Sequence, residues 1–336
     1  MPRLEPTEIT PHVYQCPIPI PNNPLENLLA YLVQTPAGTW MIDAGWNTPE
    51  AIAAWESHLP ALNLSFRDIT QIIITHLHPD HYGLAGTIRE RSGAPVVMSR
   101  IEAEQISSRY QDYRQLLAEV GSWLSRNGVG QGELPDLQQA SLRVLNRVGP
   151  VQPDATLREG DLLEAGFTTL QVIETPGHSP GHICLFAREA GLLFAGDHVL
   201  PTISPHIGMY PQSPPNPLAV FFHSLDKVDG LKVNLVLPAH EYVFDNLRQR
   251  ICQIKEHHRI RLEEILAALG DEEKTAYRVA AHISWAIGPW EQFDVWARRS
   301  ALMEVVAHLE YLLGQGRVAK RCRPDLVLYR RLEVRK

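Results

Sequence analysis

The chain has 336 residues, of which 44% are hydrophobic and 21% are charged, and its formal net charge is −7. This composition is that of a globular protein and excludes intrinsic disorder and low-complexity sequence. The length exceeds the usual size of a single compact core, so we expect one large domain and one smaller domain.

The sequence lacks the features of a secreted or membrane protein. Its first residues, Met1-Pro-Arg-Leu-Glu-Pro-Thr-Glu, contain no apolar segment of the kind found in a secretory signal. No apolar run is long enough to span a bilayer. The four cysteines are far apart and form no Cys-x-x-Cys pair, which is typical of reduced thiols. We therefore expect a cytoplasmic protein with no membrane partner.

The first hundred residues alternate between β-prone runs and helical patterns. Strands are predicted at 13–16, 28–33, 39–43, 71–75 and 95–98, and helices at 49–59 and 82–92. Strands resume at 155–157, 162–163, 168–173, 183–187 and 192–195, and the last of this series lies at 233–237. Such alternation indicates an α/β sheet protein with helices packed outside the sheet.

Two segments depart from this rhythm. Residues 101–149 have apolar side chains at helical spacing and are predicted to form a helical insertion. From Leu247 the pattern changes to three amphipathic helices, at about 247–268, 273–284 and 294–314, and then two β-prone segments, at 317–321 and 326–331. We therefore predict a catalytic domain over 1–246 and a C-terminal domain over 247–336 with a winged-helix outline.

The charge distribution bears on partners. Residues 247–336 carry 17 Lys and Arg against 12 Asp and Glu, so the C-terminal domain is mildly basic while the rest is acidic. Winged helices bind nucleic acid in some proteins and serve packing or dimerisation in others, and a basic patch is required for the first role. We therefore favour a small molecule over nucleic acid as the substrate. The sequence is also compatible with a homodimer.

Four side chains that can bind a metal occur within six residues. The β-prone run Ile72-Ile73-Ile74-Thr75 leads directly into His76-Leu77-His78-Pro79-Asp80-His81. In an extended segment, His76 and His78 point to the same side and can reach one ion. Asp80 and His81 lie at the turn into the next helix and can contribute to a second site.

Three further candidates follow β-prone runs later in the chain, namely His178, Asp197 and His240. Small residues or proline precede each of them. A side chain at the end of a rigid element is well placed to act as a ligand or a catalytic group.

These residues resemble the signature of the metallo-β-lactamase superfamily, His-x-His-x-Asp-His followed by Gly-His-Ser-x-Gly-His, Gly-Asp and a final His, over about residues 9–245. The resemblance implies an αββα sandwich. It implies that His76, His78 and His178 bind one metal, that Asp80, His81 and His240 bind the other, and that Asp197 bridges both. It also implies that Asp43, in an Ile-Asp-x-Gly turn, orients one of the ligands.

Imidazoles and carboxylates suit two divalent metal ions, with zinc favoured and iron or manganese also compatible. A water shared by two ions loses a proton readily, which makes hydroxide the nucleophile. Asp80 and Asp197 are then the carboxylates assigned to catalysis.

Two rival motifs are excluded by their context. Gly177 to Gly181 fits Gly-x-Ser-x-Gly, but β character resumes at Ile183, whereas a nucleophilic serine needs a helix there. His240-Glu241 does not extend to His-Glu-x-x-His, because Phe244 occupies the last position.

Three reactions stay open at this point. The chain most resembles a glyoxalase II-like group, which implies hydrolysis of an ester, thioester or lactone. An endoribonuclease-like phosphodiesterase and a mononuclear iron persulfide dioxygenase are the alternatives. Several side chains near the ligands could line the pocket, although packing roles are favoured for them: His198, His206, His223, Tyr82, Tyr210, Arg109 and Arg114.

Overall fold

The computed structural model describes residues 5–333. Two sheets form its centre. The larger has seven strands, paired in chain order: β1 Thr7–Thr10, β2 Val13–Pro19, β3 Asn27–Thr35, β4 Gly38–Ile42, β5 Ile69–Ile74, β6 Val96–Ser99 and β7 Ala155–Leu157. The first four are antiparallel neighbours, and β4 to β7 run parallel.

The second sheet has five strands in the order β12-β11-β10-β9-β8. They are β8 Leu162–Glu164, β9 Thr169–Glu174, β10 Ile183–Ala187, β11 Leu192–Gly196 and β12 Leu235–Pro238. Only β11 and β12 pair in parallel.

Helices cover the outer face of each sheet. In chain order they are α1 Pro49–Ala61, α2 Pro79–Tyr82, α3 Ala85–Ser92, α4 Arg100–Ile106, α5 Tyr113–Arg126, α6 Leu134–Gln139, α7 Pro217–Asp229, α8 Leu247–Leu269, α9 Ala276–Ala280 and α10 Val295–Gly314. A π-helical turn occupies Ser107–Gln111, and 3-10 turns occupy Phe66–Asp68, Ala140–Arg147 and Trp290–Gln292. The hairpin β13 Val318–Cys322 and β14 Val327–Arg331 follows α10.

Three buried clusters explain the layering. Between the sheets, side chains such as Tyr31 and Ile73 of the larger sheet pack against Phe194 of the smaller one. The other face of the larger sheet packs against α1 through Trp55. The predicted αββα sandwich is therefore confirmed, and central strands such as β3, β10 and β11 are buried on both faces, as their apolar runs indicated.

The middle of the helical insertion and the C-terminal elements pack on the smaller sheet, whereas Ile106 and Val148, near the two ends of the insertion, pack on the larger sheet. Val120 and Leu137 of the insertion and Leu302 of α10 belong to one buried cluster with Phe186 and Leu193. The predicted order of three helices and a hairpin after residue 246 agrees with the structure. No helix within residues 5–333 is both long and apolar enough to cross a membrane.

Candidate metal centre

The first ligand group lies where β5 ends. His76 and His78 follow this strand, and His178 follows β9 of the other sheet. The Nδ1 atom of His78 lies 2.9 Å from Nε2 of His76 and 2.9 Å from Nε2 of His178. One nitrogen of each ring thus points to a common centre, with all three within 4.8 Å of one another.

The second group lies beside the first. The short helix α2 carries Asp80 and His81, while His240 follows β12. Asp80 Oδ2 is 3.4 Å from His240 Nε2 and 3.7 Å from His81 Nε2. These three side chains also form a set of ligand atoms close enough to hold one ion.

Asp197 lies between the two groups. It follows β11, and its Oδ2 atom is 3.4 Å from Nε2 of His178, in the first group. Its Oδ1 atom is 3.3 Å from Nε2 of His240 and 3.5 Å from Nε2 of His81, in the second. The structure therefore brings all seven sequence-predicted side chains together, at the carboxyl ends of strands from both sheets.

Hydrogen bonds behind the ligands fix the ring orientations. His178 Nδ1 donates to the carbonyl of His206 at 2.9 Å, and His240 Nδ1 donates to the carbonyl of Asn27 at 3.0 Å. Because a carbonyl can only accept, each ring in its neutral form presents Nε2 as an acceptor toward the centre. This tautomer is the one that a metal needs.

Asp43 contacts the back of His81, in agreement with the orienting role that the resemblance implied for it. Its Oδ2 atom accepts from His81 Nδ1 at 2.7 Å, and its two oxygens also accept from the backbone and hydroxyl of Thr75. Asp43 has a φ of 61°, a left-handed conformation that Asp adopts more readily than most residues. The turn after β4 thereby aims a carboxylate at the back of a ligand.

The electrostatics of the cluster favour neutral imidazoles in the first ligand group. They also favour ionised carboxylates at Asp80 and Asp197. Burial, followed by the neighbouring rings, holds the pKa of His76 and His78 well below its usual value. Burial opposes ionisation of Asp80, but His81 and His240 outweigh it and lower the pKa of Asp80 to about 2. The same balance holds the pKa of Asp197 well below its usual value.

The second group attracts positive charge. Burial alone would lower the pKa of His81, but Asp43, Asp197 and Asp80 outweigh it and raise that pKa well above its usual value. The pKa of His240 is raised by Asp197 and Asp80 against the same effect of burial. Three carboxylates in one buried site favour a cation among them.

Three polar atoms show that the site fits a metal ion. Among the described residues, the buried atoms His81 Nε2, His240 Nε2 and Asp197 Oδ1 have no hydrogen-bond partner. They face one another at 3.3 to 3.5 Å. Unsatisfied buried polar atoms are costly, and a cation shared by them removes that cost. The donor set of imidazoles and carboxylates suits a divalent ion.

Glu102, which sequence reasoning missed, ties the two loops of the first group together. This fully buried side chain lies on α4. Its Oε2 atom accepts from the backbone of Leu77 at 2.7 Å, and its Oε1 atom accepts from the Ser179 hydroxyl at 2.8 Å and from the backbone of Gly181 at 2.6 Å. Leu77 lies between two ligands, and Ser179 adjoins a third.

His182 positions Asp197. Its Nε2 atom accepts from the backbone of Asp197 at 3.1 Å, and its Nδ1 atom lies 2.7 Å from the Thr175 hydroxyl, to which it must then donate. The second His of Gly-His-Ser-x-Gly-His is the sequence signal for this role. The motif thus supplies the candidate ligand His178 and also His182, which holds the backbone of the candidate ligand Asp197.

The other rim candidates divide into two kinds. Tyr82 is buried and bonds to the backbone of Val151, His198 is buried against Phe221, and His223 is exposed on α7. Arg114 is also exposed. Among the described residues, the side chains of these four form no hydrogen bond or ion pair with the seven candidate ligands. His206, Arg109 and Tyr210 lie close to the first group.

An αββα sandwich with five histidines and two aspartates gathered at the ends of its strands is the framework of a metal-dependent enzyme. Residues 25–240 match the family model of the metallo-beta-lactamase superfamily, and the chain belongs to that superfamily.

Relatives cover almost the whole chain. A Bacillus subtilis protein named "Probable metallo-hydrolase YqjP" is 26% identical over 91% of this chain and 94% of its own length. A metallo-beta-lactamase family protein from Thermus thermophilus is 32% identical, with a TM-score of 0.83 over 97% of this chain and 100% of that one. A Burkholderia ambifaria beta-lactamase domain protein is 28% identical, with a TM-score of 0.82 over 97% and 94%. Membership of this superfamily and these names support a metallo-hydrolase.

Proposed function

We propose that the protein hydrolyses a carboxylic ester, thioester or lactone with the help of two divalent metal ions, and that these are zinc in preference to iron or manganese. The supporting observation is the pair of three-residue ligand groups joined by Asp197. In this proposal His76, His78 and His178 hold one ion, and Asp80, His81 and His240 hold the other. Histidine-rich sites with carboxylates suit zinc.

Two ions bound there would supply an ionised water as nucleophile at neutral pH and would polarise the oxygen of the substrate. The protein's own residues account for the rest. Asp80 and Asp197 stay ionised at neutral pH, because their pKa values are lowered by the surrounding imidazoles. Asp80 is the more exposed of the two carboxylates, so it can accept a hydrogen bond from the attacking water and orient it.

The C-terminal elements support a finer placement within the superfamily. The order α8, α9, α10, β13, β14 has the outline of a winged helix, which favours the glyoxalase II-like group. In this proposal the domain over 247–336 packs against the catalytic domain, and the substrate is a small molecule.

The test combines metal analysis with a substrate panel. Purified protein should contain about two zinc ions per chain and should hydrolyse a thioester or a lactone. Asp80→Ala should lower kcat by at least about 100-fold, the usual effect of losing an oriented catalytic group. Asp136→Ala, an exposed acid on α6, is the matched control and should keep full activity.

Other outcomes point to the alternatives. One iron per chain, with oxygen uptake in the presence of a persulfide, would replace hydrolysis by the dioxygenase reaction. Cleavage of single-stranded RNA without cleavage of thioesters or lactones would indicate a phosphodiesterase. Protein that takes up neither zinc, iron nor manganese would overturn the proposal altogether.

A further inference from the structure

An arginine without an acidic partner lies at the edge of the candidate metal centre. Arg109 is half-buried in the π-helical turn Ser107–Gln111, and its guanidinium stacks 4.7 Å from the ring centre of Tyr210. Within residues 5–333, the structure gives Arg109 no ion pair, and its buried Nη2 atom has no acceptor. The hydroxyl of Tyr210 is also buried without a partner in this part of the chain.

Both side chains are held next to the first ligand group. Tyr110, which adjoins Arg109, donates its hydroxyl to the carbonyl of Leu77 at 2.6 Å, between two ligands. On the other side, Tyr210 lies four residues after His206, whose carbonyl accepts from ligand His178.

The chemistry of the pair selects an anion. Stacking uses the face of the guanidinium and leaves its N–H groups, which lie in the plane, free to donate. A planar carboxylate matches this row of donors with two parallel hydrogen bonds, and the Tyr210 hydroxyl adds a third donor. An unpaired, partly buried cation beside a reaction centre is stabilised when such a ligand arrives.

We infer that Arg109 and Tyr210 bind a carboxylate group of the substrate, so that the preferred substrate is an anionic ester or thioester. This rests on the proposed hydrolase function. Arg109 is then the residue that determines specificity for charge, and the helical insertion supplies it.

The test uses a matched pair of substrates on the zinc-loaded full chain. 4-Nitrophenyl hydrogen glutarate carries a terminal carboxylate that 4-nitrophenyl valerate lacks. The wild type should prefer the glutarate ester by about 10-fold or more in kcat/KM, the gain expected from a charge-assisted pair. Arg109→Met should abolish this preference, mainly through KM, while Arg109→Lys should retain part of it. Arg114→Met, an exposed position in the same insertion, should retain all of it.

A second readout does not depend on turnover. Glutarate should raise the Tm of the zinc-loaded wild type, and glutaramide, which has the same carbon chain but no carboxylate, should not, since only a bound ligand stabilises the folded state. Arg109→Met should remove the glutarate effect, with circular dichroism showing that the variant is folded.

The two proposals fail differently. If neither ester is hydrolysed but glutarate still raises Tm through Arg109, the proposed reaction is wrong and the carboxylate site stands. Equal turnover of both esters, with a Tm that glutarate leaves unchanged, would overturn the carboxylate site and leave the hydrolase proposal intact.

Discussion

A single buried carboxylate holds two ligand-bearing loops in register. Glu102 accepts three hydrogen bonds, one from the loop of His76 and His78 and two from the loop of His178. Its partners lie 25 to 79 positions away in sequence, so the side chain joins parts of the chain that have no local connection.

The variant Glu102→Gln tests this positioning role. A glutamine offers one acceptor oxygen, and its amide N–H groups must oppose either the N–H of Leu77 or that of Gly181. We expect the affinity of the first ligand group for zinc to fall by about 10- to 100-fold, the usual effect of losing a support behind a ligand. Competition with a chromophoric chelator measures this affinity.

Glu104→Gln is the control, because Glu104 is exposed on the same helix and pairs only with exposed Arg100 in the described structure. It should bind zinc like the wild type. Glu102→Gln protein with a lower free energy of unfolding but unchanged zinc affinity would show a purely structural role.

The candidate ligands and the orienting Asp43 could be predicted from sequence, whereas Glu102 could not. Four of the candidates occur within six residues, the other three follow β-prone runs, and the resemblance to the metallo-β-lactamase signature implied their division into two groups. Glu102 has no local signal, since an acid in the first turn of a helix is ordinarily a solvated residue that favours the helix dipole. Only the packing of α4 against both loops reveals its role.

At the level of elements, α7 supports the loop that carries His178. The Ser224 hydroxyl on this helix donates to the carbonyl of Pro176 at 2.8 Å. Gly177 comes so close to the helix that an added Cβ would lie 2.5 Å from Cβ and 2.7 Å from Cα of Phe221. The φ of Gly177 is 141°, which strains any other residue.

Gly177→Ala should therefore disturb both stability and metal binding. The methyl group meets backbone, which cannot yield as a side chain would, and the conformation adds strain of about 1–3 kcal/mol. We expect a lower free energy of unfolding in urea, and weaker zinc binding because His178 is the next residue.

Gly130→Ala provides the comparison. Nothing lies within 4 Å of the added Cβ, and Gly130 has no positive φ. If both variants unfold at the same urea concentration as the wild type, the close contact between α7 and the loop does not require glycine at position 177.

The sequence predicted most strands but missed α7. The segment before it is rich in proline and serine, which are typical of loops, so the sequence analysis did not predict a helix there. A start signal was present: Asn216 caps the helix through Ala219, and Pro217 occupies the first turn. Apolar residues then recur at helical spacing, with Leu218, Phe221 and Leu225 all buried.

At the scale of the molecule, the C-terminal elements share a core with the catalytic sheet. Leu302 of α10 and Ile265 of α8 belong to the same buried cluster as Ile173 and Cys184. The sequence predicted the order of these elements, because each has its own periodicity. It could not predict which surface they cover, since apolar faces of helices are compatible with many partners.

A shared core predicts one cooperative unfolding transition for residues 5–333. Leu302→Ala removes a fully buried side chain from this core and should lower the free energy of unfolding by about 2–5 kcal/mol. Ellipticity and zinc release should shift together to lower urea concentration, since packing on α10 also holds the smaller sheet that carries Asp197 and His240. Ile260→Ala, on the exposed side of α8, should leave both transitions in place. Zinc release that stays at the wild-type midpoint while ellipticity shifts would show that residues 247–336 unfold as an independent domain.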